Sequence, residues 1–374
     1  MVPNLRFKKY SNDWIKYKIT DLGEMRRGKS KHRPRDDEML YGGVYPFIQT
    51  GDIKKAYLYI NEYEKTYSNY GLSQSKLWKK GTLCITIAAN IAETAILSMD
   101  ACFPDSVIGW CSNNQLTNNL FIKYYFDYYK EQLKRLSVGG AQENLNLDKL
   151  EKIYFNIPSL QEQNNISNFL SKIDERIQTQ IKIISDYKLL KNHIIKIFLQ
   201  QKSSSYIVSE IAELGRGRVI NSIEISKQKH PIYPVYSSQT SNDGIMGYLD
   251  NYDYEGEYIT WTTDGANAGT VYYRNGRFNC TNVCGTLKIK TGYDAYYISN
   301  ILNAYTKKYV STNLANPKLM NNVMANIKLN LPSFEHQKYF SKILKVIEYK
   351  IKTEESIKYS LIKQKTFLLK NMFI

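Results

Sequence analysis

The chain of 374 residues can hold two domains with separate cores, and its formal net charge of +16 indicates a polyanionic partner, with nucleic acid first and an acidic membrane surface second. The most apolar run, LCITIAANIAETAIL, is short and interrupted by Asn90 and Glu93, which excludes a membrane span, and the N-terminus MVPNLRFKKY lacks the apolar stretch of an export signal. Of the five cysteines only Cys280 and Cys284 form a close pair, and no second Cys or His pair completes a zinc site, so we expect a cytoplasmic protein with reduced thiols and no metal.

The first part of the chain is predicted to form a mixed α+β domain. ITDLGEMRRGK, from Ile19 to Lys29, is a strand-like apolar segment that closes on a basic glycine turn. The runs GTLCITI and TAILSM are rich in β-branched residues and are bounded by turn residues, which favours strands. Residues Asn118–Leu136 are predicted to form a helix.

A long helix is predicted to follow this domain, over residues 159–202. After Pro158-Ser159, apolar residues recur with a spacing of about 3.5 residues, which is the repeat of a coiled coil. Ser159 supplies an N-cap oxygen, and Glu162 in the first turn suits the positive end of the helix dipole. The predicted pairing face consists of Ile166, Leu170, Ile173, Ile177, Gln180 and Ile184.

The second half of the chain repeats these features in the same order. VSEIAELGRGR, from Val208 to Arg218, aligns with ITDLGEMRRGK, and GEYITWTT aligns with the predicted strand segment that begins at Gly81. TVYYRNGRFNCT predicts further strands with a hairpin turn at Asn275-Gly276, and Ala295–Val310 predicts a helix. The number of residues that separates each segment from its counterpart in the second copy decreases along the chain, so the second copy is a shortened version of the first.

The second copy also ends on Pro-Ser, then Gln, then a long helix, which is predicted over residues 333–374. Its predicted pairing face consists of Phe340, Leu344, Ile347, Ile351, Glu354 and Leu361. Two matching units most simply pair about a pseudo-two-fold, which sets the helices antiparallel and places Gln180 opposite Glu354. The alternative is that each helix packs only against its own domain.

Several loops carry side chains suited to DNA. In the first copy, the basic turn RRGKSKHRPR offers contacts to phosphates and guanine, and the IQTGD segment offers an amide and a hydroxyl. We expect DNA contacts from Arg26, Arg27, Lys29, Lys31, Arg33, Arg35, Gln49 and Thr50. The alternative is that the basic segment is a solvated loop and IQTGD an ordinary polar turn.

The second copy has fewer basic residues in its turn and more neutral polar groups. SSQTSNDG carries hydroxyl and amide groups of the kind that contact bases and phosphates, and TWTTDGANAGTVYY is predicted to be a surface loop. We expect DNA contacts from Arg216, Arg218, Lys227, Lys229, Ser237, Ser238, Gln239, Thr262, Thr263 and Asn267.

Motifs for catalysis are missing from the sequence. There is no Asn/Asp-Pro-Pro-aromatic tetrapeptide of an amino-methyltransferase, no Walker lysine loop, and PDSVIG does not continue into a nuclease core. The four histidines are scattered, so neither a triad nor a metal cluster can be assembled from them. We therefore expect no catalytic residue, no metal ligand and no cofactor site in this chain.

The duplicated order of these segments resembles the specificity subunit of type I restriction-modification systems. The resemblance lies in the two junctions, LDKLEKIYFNIPSLQEQNNISNFLSKIDERI and MNNVMANIKLNLPSFEHQKYFSKILKVIEYKI, and in the paired EMRRGK and ELGRGR turns. It covers essentially the whole chain. The second junction departs from the pattern because His336 stands where the family usually has an acid.

This resemblance implies two tandem target-recognition domains separated by two long helices that pair as an antiparallel coiled coil. The domains would span residues 1–158 and 203–332, and the spacer helices 159–202 and 333–374. Each domain would read one half of a bipartite, asymmetric target in double-stranded DNA.

The resemblance also implies partners. Two methyltransferase subunits would attach, and restriction subunits could join them. S-adenosylmethionine, ATP and magnesium would be bound by those partners. Two alternatives to this role are a coiled-coil scaffold or stand-alone DNA-binding protein without a modification partner, and a self-contained DNA enzyme.

Overall fold

A computed structural model describes residues 2–137, 145–201, 203–311 and 316–374. The chain folds into two compact units, the first made of Met1–Ile183 with Glu354–Ile374 and the second of Ile184–Thr353. The two long helices therefore each contribute one part to the first unit and one part to the second. No helix in the described part of the chain is both long enough and apolar enough to cross a membrane.

The first unit is built on a five-stranded sheet. The strands that begin in this unit are β1 (Ile15–Lys18), β2 (Gly23–Arg27), β3 (Tyr41–Phe47), β4 (Tyr59–Ile60), β5 (Lys65–Tyr67), β6 (Leu83–Thr86), β7 (Thr94–Leu97), β8 (Val107–Ser112) and β9 (Tyr154–Ile157). Its helices are α1 (Ile19–Leu22), α2 (Thr50–Lys55), α3 (Asn69–Ser73), α4 (Asn119–Ser137), α5 (Leu147–Leu150) and α6 (Leu160–Leu199). The sheet order is β2-β8-β6-β7-β4, and β1–β9 and β3–β5 form two further ladders.

Apolar side chains of α4 cover this sheet and form the core of the first unit. Phe121, Ile122 and Tyr125 are fully buried together with Trp110 of β8. Burial of such large apolar side chains is the main stabilising term for a domain of this size. The predicted helix over 118–136 and the predicted strands of GTLCITI and TAILSM are confirmed.

The second unit is built on a six-stranded sheet in the order β11-β16-β14-β15-β12-β13. The strands are β10 (Ser204–Ile207), β11 (Ala212–Arg216), β12 (Tyr233–Tyr236), β13 (Ile245–Leu249), β14 (Tyr254–Thr262), β15 (Val271–Cys280), β16 (Cys284–Ile289) and β17 (Lys328–Leu331). The helices are α7 (Val208–Ile211), α8 (Ser222–Ser226), α9 (Ala295–Tyr305), α10 (Asn321–Ala325) and α11 (Phe334–Met372). Tyr297, Ile298 and Ile301 of α9 are fully buried in the core with Trp261 of β14.

The two units repeat one scaffold, as the duplicated sequence predicts. In each unit a short strand leads through a single helical turn into an edge strand of the sheet: β1–α1–β2 in the first and β10–α7–β11 in the second. The short strand pairs antiparallel with the strand that ends at the Pro-Ser junction, β1 with β9 and β10 with β17. The edge strands pair in the same way with β8 and β16.

The predicted hairpin turn at Asn275-Gly276 is wrong. Both residues lie inside β15 and pair with Glu257 and Gly256 of β14, so the strand continues through them. The chain reverses instead after Thr262, before β15 begins at Val271. A turn-forming dipeptide is a local signal, and here the ladder of eight residue pairs between β14 and β15 overrides it.

A buried glutamine explains why the junction occurs twice. Gln163 is fully buried. Its amide nitrogen Nε2 donates to the carbonyls of Pro158 and Leu116, both at 2.9 Å, and its Oε1 accepts from Thr117 Oγ1 at 2.7 Å. Gln337 repeats this arrangement: Nε2 donates to Pro332 O at 2.9 Å, and Oε1 accepts from the Asp294 amide at 3.0 Å. Each side chain thus ties the start of a long helix to the segment that begins α4 or α9.

The acid of the first junction also has a specific partner. The Arg6 guanidinium makes two hydrogen bonds to Glu162, at 2.7 and 2.8 Å, and Glu162 is buried. This pairing raises the pKa of Arg6 above its ordinary value. At the aligned position of the second copy, His336 contacts the Ser333 hydroxyl at 3.0 Å instead. The departure from the pattern therefore accompanies a different local partner.

The two long helices pair antiparallel, which confirms the predicted coiled coil. Within the first unit, Asp174 of α6 contacts Lys365 of α11, and further along α6 Gln180 donates to Glu354. Residue numbers therefore rise along α6 as those of the contacting residues on α11 fall, so the two helices are antiparallel. The α6 residues Ile166, Leu170, Ile173, Ile177 and Gln180 are buried with Leu361 of α11, and Glu354 is half-buried.

The same direction is found within the second unit. Ile184 packs with Ile347 and Ile351, and further along α6 the ring of Phe198 stacks on Phe340 with 3.7 Å between ring centroids. Ile184, Phe340, Leu344, Ile347 and Ile351 are all buried.

A buried group of charges fastens α11 to α4 and α6 in the first unit. The Lys365 ammonium lies 2.8 Å from Asp174 Oδ1 and 3.4 Å from Asp127 Oδ2, while Lys123 pairs with Asp127. The Tyr124 hydroxyl donates to Asp174 at 2.7 Å. Two ammonium groups and two carboxylates compensate each other, which makes their shared burial tolerable.

The junction glutamine is predicted to be structural. Gln163→Met keeps the side-chain length and leaves the Thr117 hydroxyl and two carbonyls without their partner. We expect the free energy of unfolding to fall by about 2–3 kcal/mol in urea denaturation, because unsatisfied buried polar groups are costly. Gln161→Met, at an exposed position on the same helix, is the control and should change it little. Equal effects of the two substitutions would contradict this role.

The charged group predicts a second stability difference. Lys365→Met leaves the Asp174 carboxylate, which is fully buried, without its nearest cation. We expect a loss of about 3–5 kcal/mol in the free energy of unfolding, the usual cost of a broken buried ion pair. Lys363→Met on the exposed face of α11 serves as the matched control. A Lys365→Met protein as stable as this control would show that the ion pair contributes nothing.

Candidate nucleic-acid interface

Part of the repeated basic turn has a structural role in both units. Arg27 Nε donates to Asp105 O at 3.1 Å, and Arg216 Nε donates to Asn282 O at 2.6 Å, each in the turn before the neighbouring strand. A Cβ atom on the following glycine would lie 2.3 Å from Pro104 O at Gly28 and 2.2 Å from Cys280 O at Gly217. The Arg-Gly pair is therefore required by this close approach of two segments.

The remaining basic residues of the first turn, RRGKSKHRPR, lie on the end of β2 and on the loop that follows it. Lys29 and Lys31 are exposed, and neither forms an ion pair within the described part of the chain. Arg26 is exposed beside Glu24, and Arg33 Nη1 donates to the carbonyls of Ser30 and His32. These side chains leave cationic groups available to phosphate oxygens.

The same loop is held in place at several points. The amides of Lys29 and Lys31 donate to Phe103 O and Gln74 O, both at 3.1 Å. Arg35 makes two hydrogen bonds of 2.9 Å to the Asp105 carboxylate, so its charge is compensated. The backbone is thus anchored, while the two lysine ammonium groups form no ion pair with any residue that the structure describes.

Gln49 and Thr50 lie at the start of helix α2. The backbone amide of Gln49 donates to the Asp52 carboxylate at 2.8 Å, and Thr50 is the first residue of the helix. Both side chains are half-buried. The second unit has a loop with a 3-10 turn, Ser241–Gly244, in the corresponding region.

Both arginines of the basic turn in the second unit, Arg216 and Arg218, form ion pairs with carboxylates. Arg218 makes two hydrogen bonds to Glu224, at 2.6 and 3.1 Å, and a third to Asp253 at 3.1 Å. The hydrogen bond from Arg218 lowers the pKa of Glu224. Arg216 lies 3.2 Å from Asp264.

Two lysines of the second unit lie apart from these ion pairs. Lys227 and Lys229 are exposed just after helix α8. The backbone amide of Lys229 donates to Asp250 at 3.0 Å, which fixes the chain there without involving the ammonium group.

The loop between β12 and β13 is held by the residues that the sequence suggested as DNA contacts. The Ser237 amide donates to Gly244 O at 2.9 Å, and the Gln239 amide group donates to Ile245 O. Asn267 Nδ2 donates to Ser238 O at 3.1 Å, which connects the loop to the segment after β14. All four residues are half-buried, and they fix the loop through the side chains of Gln239 and Asn267 and the backbone of Ser237 and Ser238.

The exposed tip of this loop, Thr240–Asp243, lies within the SSQTSNDG segment, but its four residues were not among those expected to contact DNA. All four side chains are exposed and carry hydroxyl, amide or carboxylate groups. The signal that could have found them is the run TSND inside SSQTSNDG, because Asn and Asp favour the tips of turns.

The expectation that Thr262 and Thr263 lie on a surface loop is wrong. Thr262 is 1% exposed as the last residue of β14, and Thr263 is fully buried, with its Oγ1 accepting from Arg216 at 3.3 Å. Their backbone amides are used in hydrogen bonds to Thr270 O and Val283 O. The β-branched run through Thr260 continues the strand inward, where DNA cannot reach these hydroxyls.

The cysteine pair consists of buried thiols. Burial raises the pKa of Cys280 to about 12 and that of Cys284 to about 11, which keeps both thiols protonated at neutral pH. Within the described residues, no three His, Cys, Asp or Glu side chains converge in a way that could hold a metal ion.

Comparisons with known proteins agree with this architecture. The family model for the type I restriction modification DNA specificity domain matches residues 11–185 and again 202–363. A type I specificity subunit, S.MpnORF365P of Mycoplasma pneumoniae, is 36% identical over 226 residues, covering 58% of this chain and 84% of the relative. The chain belongs to this family of type I specificity subunits. Its function is the recognition of DNA sequence in a type I restriction-modification system.

Two further similarities concern relatives of this specificity subunit. The type I restriction enzyme MpnII specificity subunit of the same organism is 39% identical over 171 residues, which cover 45% of this chain and 51% of the relative. The crystal structure of a type I restriction-modification S subunit from M. genitalium has a TM-score of 0.67 at 18% identity, over 100% of this chain and 99% of that one. At this identity the structural similarity shows a shared fold.

The exposure of Lys29 and Lys31 predicts that their replacement changes the salt dependence of DNA binding. Lys29→Gln combined with Lys31→Gln should reduce the slope of log K against log salt concentration for a DNA duplex by about 2, since each lost phosphate contact removes about 0.9. Fluorescence anisotropy at several salt concentrations measures this slope.

The matched control for this pair is Lys55→Gln with Lys79→Gln. It removes the same charge from ammonium groups that are already paired with Glu64 and Asp100. If both double variants lower the slope equally, net charge and not phosphate contact by the loop is responsible.

Proposed function

We propose that each domain of this specificity subunit reads one half of a bipartite, asymmetric DNA target. The observation that carries the proposal is the presence of one scaffold twice, each copy with its own sheet and core, but with different polar loops. The reading domains correspond to residues 1–158 and 203–332. Different loops on equal scaffolds suit the reading of different half-sites, because base edges are distinguished by the donors and acceptors presented to them.

The helices over 159–202 and 333–374 act as the spacer that sets the gap between the half-sites. The antiparallel contacts within each unit support this role. Polar pairs such as Gln180–Glu354 and Asp174–Lys365 disfavour other registers. A helix pair that cannot slide is a suitable spacer between two readers.

The chain works without catalysis of its own, with two methyltransferase subunits and, for cleavage, restriction subunits as partners in the cytoplasm. S-adenosylmethionine, ATP and magnesium are bound by those partners. The family relationship supports this division of tasks, since the matched relatives are described as specificity subunits.

Exchange of one domain tests this proposal. Replacing residues 1–158 by the corresponding domain of another specificity subunit should change one half of the methylated target and leave the other half unchanged. Methylome sequencing of a host that expresses the chain with its methyltransferase subunits provides the measurement. The reciprocal exchange of residues 203–332 is the matched control and should change the opposite half. If either exchange alters both halves, the domains do not read independently.

A further inference from the structure

Arg274 of β15 is a buried cation that sequence reasoning did not select. Its side chain is 7% exposed, and within the described part of the chain no carboxylate forms an ion pair with it. The guanidinium carbon lies 3.5 Å from the ring centroid of Tyr236 and 4.4 Å from that of Tyr272. Burial lowers the pKa of Arg274 below its ordinary value, but a guanidinium stays charged in proteins.

The contacts of Arg274 lie at the two ends of the β12–β13 loop. Tyr236, the ring on which it stacks, is the residue before Ser237. At the other end, Arg274 Nη2 donates to the carbonyl oxygen of Asp243 at 2.8 Å. Arg274 Nε faces the Thr260 hydroxyl of the neighbouring strand at 3.3 Å, which fixes the guanidinium plane.

The loop needs such support because its tip is strained. Asn242 has φ of +49° and Asp243 has φ of +51°, which lie in the left-handed region that residues other than glycine seldom adopt. Strained backbone persists when surrounding contacts hold it, and it is concentrated at functional sites. A charge-assisted hydrogen bond to the Asp243 carbonyl is among the stronger contacts available for this purpose.

We propose that Arg274 is a positioning residue for DNA reading, which holds the exposed tip Thr240–Asp243 in the conformation that contacts base edges. This inference rests on the proposed function, since it concerns the half-site read by the second domain. Arg274 itself does not touch DNA, because it lies beneath the loop. The first domain has Met99 at the aligned position and helix α2 in place of the loop, so the device belongs to one half-site only.

The test uses the full chain, expressed with its methyltransferase subunits, and sequencing of the methylated targets. Arg274→Met keeps an unbranched side chain in the cavity but removes the guanidinium. We expect discrimination in the half-site of the second domain to fall about tenfold, the effect of one hydrogen bond from a charged group, while the other half-site stays unchanged. Asn267→Ala, which removes a different support of the loop, should relax the same half-site.

Arg277→Met is the matched control on the same strand. Arg277 is exposed and pairs with Glu255 at 2.8 Å, away from the loop, so its loss should leave both half-sites as they are. An Arg274→Met protein with an unchanged target overturns the inference. A uniform loss of methylation without relaxed bases also overturns it, because that result shows a role in folding alone. If the unaltered chain gives no bipartite target, the proposed function itself fails.

Discussion

The fold of each unit depends on one buried amide group at the junction of strand and long helix. Gln163 and Gln337 both donate to the carbonyl of the proline that ends the strand, and both accept from the segment that begins the core helix. A single side chain therefore joins the strand, the long helix that follows it and the start of a core helix that lies earlier in the chain. Because buried amides are costly unless every group is paired, this arrangement tolerates little variation, which accounts for the recurrence of Pro-Ser and Gln in two copies that otherwise differ.

Polar contacts also determine how the long helices pair. An apolar stripe alone allows a pair of helices to slide by a whole heptad at small cost, because leucine and isoleucine fit several holes. Asp174 and Gln180 on α6 have single partners on α11, Lys365 and Glu354, and a shifted register would leave buried charge uncompensated. These contacts lower stability relative to an apolar seam and exclude the alternatives.

Sequence patterns predicted the scaffold well because its signals are local or repeated. The heptad spacing after Ser159 and Ser333 predicted α6 and α11, and duplication predicted two equivalent units. The hairpin turn at Asn275-Gly276 was wrong because strand pairing with β14 outweighs a dipeptide preference. The interface was harder to predict, since exposure is a tertiary property: Thr262 and Thr263 have the composition of a DNA-contacting loop but are buried by the sheet. The role of Arg274 could not be predicted from the sequence, because the sequence around it does not distinguish a buried arginine from an exposed one.

The two copies use one scaffold with different electrostatics, and the difference follows from where the carboxylates lie. The turn after β2 leaves Lys29 and Lys31 uncompensated within the described residues, whereas in the turn after β11 Glu224 and Asp253 neutralise Arg218. Phosphate contacts strengthen binding to any sequence, while neutral donors and acceptors distinguish bases. A basic loop beside one reader and a polar tip, Thr240–Asp243, on the other therefore suit different tasks on the same DNA. The strained backbone of that tip is retained because a buried cation, Arg274, holds its carbonyl in place.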